Sequence, residues 1–251
     1  MVHFVGAGSG APDLITVRGQ RLLSEADVII YAGSLVNPAL LESAKQSCEI
    51  YNSAKMTLDE VITVMQQAEA RRLQTVRLHT GDPSIFGAIR EQMDRLDACG
   101  IAYDICPGVS SFCGAAAALH AEYTLPDVSQ TVILTRMEGR TPVPEREKIR
   151  LLAAHHATMV IFLSAGMTAQ LSAELIAGGY APDTPAAIVY KATWDDEKVV
   201  RCTVGTLAES AANAGISKTA LITVGDFLGD IYANSKLYNA AFETGFRKAA
   251  E

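Results

Sequence analysis

Arg136, Glu138 and Arg140 place two guanidinium groups and a carboxylate within five residues, on a stretch interrupted by Gly139, Pro142 and Pro144. A guanidinium engages a carboxylate through two parallel N–H donors, so two such forks in one loop suit a ligand with several carboxylates. Other stretches have little side-chain chemistry and many glycines: 6–13 (GAGSGAPD), 80–84 (TGDPS) and 107–111 (PGVSS). With no Cβ in the way, backbone amides there can approach a ligand closely, and three such loops on one sheet edge would converge on a shared site. No Ser/His/Asp set or metal-ligand spacing can be read from the chain. His79 and His120 stand alone, and His155–His156 fits a helix-end cap. The expected chemistry is therefore the positioning of two ligands, with no nucleophilic side chain and no metal.

These residues need elements that hold them. Strand-like runs at 2–5, 28–31, 49–51, 75–78 and 102–105 alternate with helical patterns, which predicts a mainly parallel α/β arrangement in the first half. Leu58, Val61, Ile62 and Met65 make one apolar helical stripe, and Ile85, Ile89, Met93 and Leu96 make another. The segment 121–130 lacks periodicity, so the domain division is expected there, giving domains 1–120 and 121–251. A second alternation follows, with strands at 131–134, 158–163, 186–190, 198–204 and 219–224 and helices near 144–155 and 167–178. In this reading the strand ends at Leu134 and both arginines lie on the loop beyond it. The turn 193–197 reads as a hairpin, which gives the second sheet antiparallel character.

Composition narrows the function further. A chain of 251 residues, 49% hydrophobic and 20% charged, has the make-up of an ordered globular protein. Its net charge of -7 argues against a nucleic-acid partner, whose phosphates require clustered cations. The longest apolar runs, 115–119 and 159–163, fall far short of the ~20 residues of a membrane span, and the start leads straight into a strand; a cytoplasmic protein without membrane contact is expected. Five cysteines without a C-x-x-C pattern read as reduced packing residues. The first loop also satisfies G-x-G-x-x-G/A through Gly6, Gly8 and Ala11. The second strand, however, runs into Tyr31-Ala32-Gly33-Ser34 with no carboxylate for a nucleotide ribose, so an NAD(P)-dependent reductase is the weaker alternative.

Taken together, the stretch 6–19 (GAGSGAPDLITVRG), the 80–83 loop and 107–110 resemble the tetrapyrrole methylase family across nearly the whole chain. Within that family, 135–144, 189–194 (VYKATW) and 245–248 (GFRK) are similar to members that methylate carbon 11 of precorrin-4 in cobalamin biosynthesis. The resemblance implies two α/β domains with a cleft between them, S-adenosylmethionine as cofactor and S-adenosylhomocysteine as product, a small-molecule tetrapyrrole substrate, and a homodimer. It implies that Ser9, Thr80, Gly81, Asp82, Ile85, Ser110 and Ser111 bind the cofactor, with Leu163, Ala192 and Ala220 flanking the adenosine. Arg18, Arg136, Arg140 and Lys191 are candidates for the substrate's carboxylates. Glu138 is a candidate for orienting an arginine or accepting a pyrrole N–H, which makes it and Arg136 the catalytic candidates. Where the family usually reads G-x-G-P-G-D this chain has Ser9 and Ala11, and Gly33 stands where many members carry an acid, so no general base carries over. A related methylase acting on another precorrin carbon is the near alternative.

Overall fold

Five short strand-like runs become the strands of a parallel sheet in the computed structural model, which describes residues 1–248. They are β1 (Val2–Gly6), β2 (Val28–Tyr31), β3 (Glu49–Asn52), β4 (Thr75–His79) and β5 (Tyr103–Cys106), in the order β3-β2-β4-β1-β5, every pairing parallel. The two central strands, β1 and β4, are buried at every residue, as expected where helices cover both faces of a sheet. On one face Val5, Ile29, Val76 and Leu78 pack with Leu23 of α1 (Val17–Glu25). On the other, Phe4 and Ile30 pack with Ile62 and Met65 of α2 (Leu58–Ala70) and Leu96 of α3 (Arg90–Ala98). Thr16 caps α1 by accepting from Gly19 N at 3.1 Å, and Thr57 with Glu60 forms a reciprocal capping box on α2, devices worth about 1 kcal/mol each.

A second sheet contains β6 (Val132–Arg136), β7 (Thr158–Phe162), β8 (Pro185–Tyr190), β9 (Lys198–Thr203) and β10 (Ala220–Val224), in the order β6-β7-β10-β8-β9. Only β6 and β7 run parallel. Met159, Ile161, Ile188 and Ile222 pack with Ile149 of α5 (Ile149–Ala153), Leu171 and Leu175 of α6 (Thr168–Ala177), and Leu207 of α7 (Leu207–Asn213).

The chain divides into one unit of Met1–Ala115 with Lys191–Glu197 and another of Ala116–Tyr190 with Lys198–Glu251. The division falls inside α4 (Ser111–Leu119), five residues before the boundary expected at 120/121, and the hairpin tip groups with the first unit.

Several elements differ from the sequence expectation. Ile85 and Ile89 lie outside α3, because Phe86 and Ala88 adopt left-handed backbone (φ 54° and 49°) and delay the helix to Arg90. The helix expected near 144–155 shrinks to α5 behind the 3-10 turn Glu145–Glu147. The strand expected to end at Leu134 runs through Arg136, which pairs with Phe162. The sequence reading places no helix at α1, α4 or α7; α1 buries Gly19 and Leu23, with Leu22 packed against the same core.

Candidate functional site

The three glycine loops follow the neighbouring strands β4, β1 and β5, so parallel pairing delivers all three to one sheet edge. There they are bonded to each other. Gly8 N donates to Gly81 O at 3.3 Å, Gly81 N donates back to Gly8 O at 3.0 Å, and Ala7 N donates to His79 O at 2.7 Å. Gly6 and Gly108 meet backbone to backbone: a Cβ on Gly6 would lie 2.5 Å from Gly108 Cα, closer than real Cβ atoms come. Gly81, at φ 61°, faces Ser110 and Ser111; a Cβ there would lie 3.3 Å from Ser110 Cα.

Asp82 ties the second loop to the third. One carboxylate oxygen accepts from Gly108 N at 2.9 Å, and the other from Ser84 N at 2.8 Å and from the Ser84 hydroxyl. Burial favours the neutral acid, yet the hydrogen bonds from Ser84 and Gly108 outweigh it and hold the carboxyl below its usual range. Ile85 closes this turn by donating its N–H to Asp82 O at 3.2 Å.

Beneath the second loop lies a buried polar row. Arg77, 6% exposed, donates to Ile30 O and Gln92 Oε1, both at 3.0 Å, and burial lowers its pKa to about 10. His79, 3% exposed, is held down to about 3 by burial and by the Arg77 charge, so it is neutral. His79 Nε2 and Thr80 Oγ1 are buried without a hydrogen-bond partner. An unmet buried hydroxyl beside a glycine cradle is what a polar ligand would complete.

The hairpin tip 191–197 belongs to the same unit. Ala192 is buried, and Ser9 Oγ lies 3.3 Å from Thr193 Oγ1. Lys191 Nζ pairs with Asp196 at 2.6 Å and stands 5.0 Å from the Trp194 ring centroid. Arg18 is exposed in the first turn of α1.

In the second unit, Arg136 ends β6. Its guanidinium is committed to its own loop, donating to Met137 O at 3.1 Å, Thr141 O at 3.2 Å and Pro142 O at 2.8 Å. Arg140 and Glu138 are exposed on that loop. Glu138 lines a small cavity of about 140 Å³ with Met137, Lys148, Arg150 and Glu174, and its charge, after the Glu145 bond, helps raise the Lys148 pKa. Leu163 follows β7 at φ 54° with 62% exposure, and Ala220 opens the antiparallel partner β10. Thr219, just before it, is also left-handed at φ 55°; two non-glycine residues held so at one edge mark backbone strain.

The structure thus brings Ser9, Thr80, Gly81, Asp82, Ile85, Ser110, Ser111 and Ala192 into one unit, and places Leu163 and Ala220 at one strand edge of the other. Sequence reasoning gave Arg77 no role, and placed Thr193 and Trp194 in the hairpin turn and the 189–194 stretch without assigning either to the site.

Residues 1–208 match the family model of tetrapyrrole (corrin/porphyrin) methylases. The cobalt-precorrin-4 C(11)-methyltransferase of Methanocaldococcus jannaschii is 57% identical over 249 residues, 99% of this chain and 96% of the relative. The X-ray structure of a cobalamin biosynthetic enzyme, cobalt precorrin-4 methyltransferase, superposes with a TM-score of 0.89 at 48% identity, covering 91% of this chain and 96% of that one. A uroporphyrin-III C-methyltransferase from Thermus thermophilus, complexed with S-adenosylhomocysteine, gives 0.77 at 26% identity, covering 90% and 98%. The all-parallel sheet with its three interlocked glycine loops is accordingly that of a family member: this chain belongs to the tetrapyrrole (corrin/porphyrin) methylases.

Proposed function

We propose that this chain transfers a methyl group from S-adenosylmethionine to carbon 11 of precorrin-4, or of cobalt-precorrin-4, in cobalamin biosynthesis. The observation that carries the reading is the interlocked loop set, with the unmet Thr80 hydroxyl, in a chain matched over 99% of its length by a cobalt-precorrin-4 C(11)-methyltransferase. The cofactor, when bound, supplies a methyl already activated on a sulfonium, so this chain's residues have only to bind, orient and exclude water. Thr80, Gly81, Asp82, Ile85, Ser110 and Ser111 hold it in this reading, with Ser9 and Ala192 beside the first loop. Asp82 keeps the second and third loops closed and remains charged at neutral pH. Leu163 and Ala220 offer an apolar edge suited to a purine. Holding two reactants in line can supply ~7 to 11 kcal/mol of the barrier, a term that needs no general base.

The tetrapyrrole's acidic arms call for cations. Arg140, exposed and on a loop that Arg136 stiffens, is the principal clamp in this reading, and Arg136 holds the loop's shape. Lys191 and Arg18 are secondary cations, and Glu138 orients an arginine or accepts a pyrrole N–H. The reading includes a homodimer in the cytoplasm, a compartment that suits the five free thiols. Calorimetry with S-adenosylhomocysteine and with NADH tests the cofactor assignment. Binding of the first alone is expected, and binding of NADH alone would overturn it.

A further inference from the structure

The first glycine loop is gripped from three sides. Thr193 Oγ1 accepts from Ala11 N at 2.9 Å and lies 3.3 Å from Ser9 Oγ, while Asn37 Nδ2 donates to Gly10 O at 3.0 Å. The Trp194 indole lies so close over Gly10 that a Cβ there would sit 2.5 Å from Nε1. Gly114 of α4 closes the third side, since a Cβ on it would come 2.8 Å from Ser9 Cβ and 3.2 Å from Thr193 Cγ2. The hairpin turn is itself fixed, with Thr193 N donating to Glu197 at 2.6 Å.

Thr193 occupies left-handed backbone at φ 68°. A β-branched residue adopts that conformation at a cost, whereas glycine or asparagine adopts it readily. Strain of this kind persists where the side chain has work that a relaxed residue would not do. Here the work is visible: the hydroxyl answers Ala11 N and Ser9 Oγ at once, on the loop adjoining Gly81.

We infer that Thr193 is a positioning residue for the cofactor. Its hydroxyl fixes the backbone of 8–11 before the ligand arrives, and Trp194 covers the loop's outer side. A loop ordered in advance spares the ligand the cost of ordering it, so the effect falls on cofactor affinity and not on the grip of the arginine loop on the tetrapyrrole. The inference rests on the reading that the glycine loops bind S-adenosylmethionine.

Thr193→Val, which keeps the shape and removes the hydroxyl, Thr193→Ser, which keeps the hydroxyl, and Thr193→Gly, which relieves the left-handed strain, separate these roles in the full chain. Calorimetry with S-adenosylhomocysteine is expected to show about tenfold weaker binding for the valine and glycine variants and near wild-type binding for serine. The KM for tetrapyrrole should be unchanged in all three. The glycine variant should keep the wild-type melting temperature while losing affinity, a separation that a purely structural residue would not give. Trp194 emission, the only indole signal in the chain, should shift to the red in the valine variant as the loop loosens. Wild-type affinity in the valine and glycine variants would overturn the inference, as would equal losses in serine and valine. If the wild-type chain binds no S-adenosylhomocysteine, the cofactor reading itself fails.

Discussion

The two units build their functional edges from different materials. In the first, all five strands are parallel and the loops beyond β1, β4 and β5 meet mainly through backbone, Gly8 with Gly81 and Gly6 with Gly108, with the Asp82 carboxylate accepting from Gly108 N. In the second, one parallel pair is followed by three antiparallel pairings, and the edge presents side chains: Arg140, Glu138, Leu163. An edge made of backbone is broken by adding atoms, while an edge made of side chains is broken by removing charge. In the proposed reading the first unit supplies most of the cofactor's grip through these loops, and the second supplies the principal substrate cation, Arg140.

Adding atoms should do the most damage. Gly108→Ala forces a Cβ to within 2.7 Å of Gly6 Cα, and no side chain can yield there. Loss of S-adenosylhomocysteine affinity beyond about a hundredfold is expected, with a lowered melting temperature. Gly81→Val should likewise abolish binding, because a branched residue must enter at φ 61° beside Ser110. Wild-type affinity in either folded variant would separate the glycine loops from the cofactor.

Removing charge should act on the other edge alone. Arg140→Ala is expected to lower kcat/KM for the tetrapyrrole by about ten- to hundredfold with cofactor affinity intact, and Arg140→Lys to restore part of it. Arg136→Ala should differ. Three loop carbonyls lose their donor, so a stability loss of about 1 to 3 kcal/mol should accompany the kinetic one. If Arg136→Ala leaves stability untouched, the guanidinium is not what shapes the loop.

How far the sequence announced this contrast can be read from particular residues. The parallel sheet was legible because short runs such as Val2, Phe4 and Val5 or Val76 and Leu78 recur between helical patterns, and the three loops because glycine follows each strand. That Gly6 must touch Gly108, or that Asp82 bridges two loops, depends on strands far apart in the chain and leaves no local pattern. Arg136 and Arg140 look equivalent as letters. Only the carbonyls around Arg136, created by the turn through Pro142, distinguish a structural arginine from an exposed one. The contacts of Thr193 were illegible for the same reason, since its partners Ser9 and Ala11 lie more than 180 residues away.

A smaller effect concerns the buried row beneath the second loop. His79 has a folded-state pKa of about 3, below the unfolded value of about 6.5, so the unfolded chain takes up a proton first and stability falls as pH drops between those values. Its share is about 1.4 kcal/mol per pH unit within that window. His79→Phe should remove that slope, measured by denaturant unfolding at pH 7 and pH 5; an unchanged slope would mean that His79 is not buried in its neutral form. The smallest effect is expected from Arg18→Ala. An exposed cation on the edge of the backbone-built unit should move the tetrapyrrole KM by less than about threefold and leave the cofactor's affinity alone.

The most direct test of the methyl-transfer reading supplies the purified chain with methyl-labelled S-adenosylmethionine and either precorrin-4 or cobalt-precorrin-4, followed by mass spectrometry and carbon NMR of the product. One labelled methyl at carbon 11, with an equivalent of S-adenosylhomocysteine released, is the expected result. A labelled methyl at another carbon, or no label transferred to either substrate by a chain that binds both ligands, would contradict it.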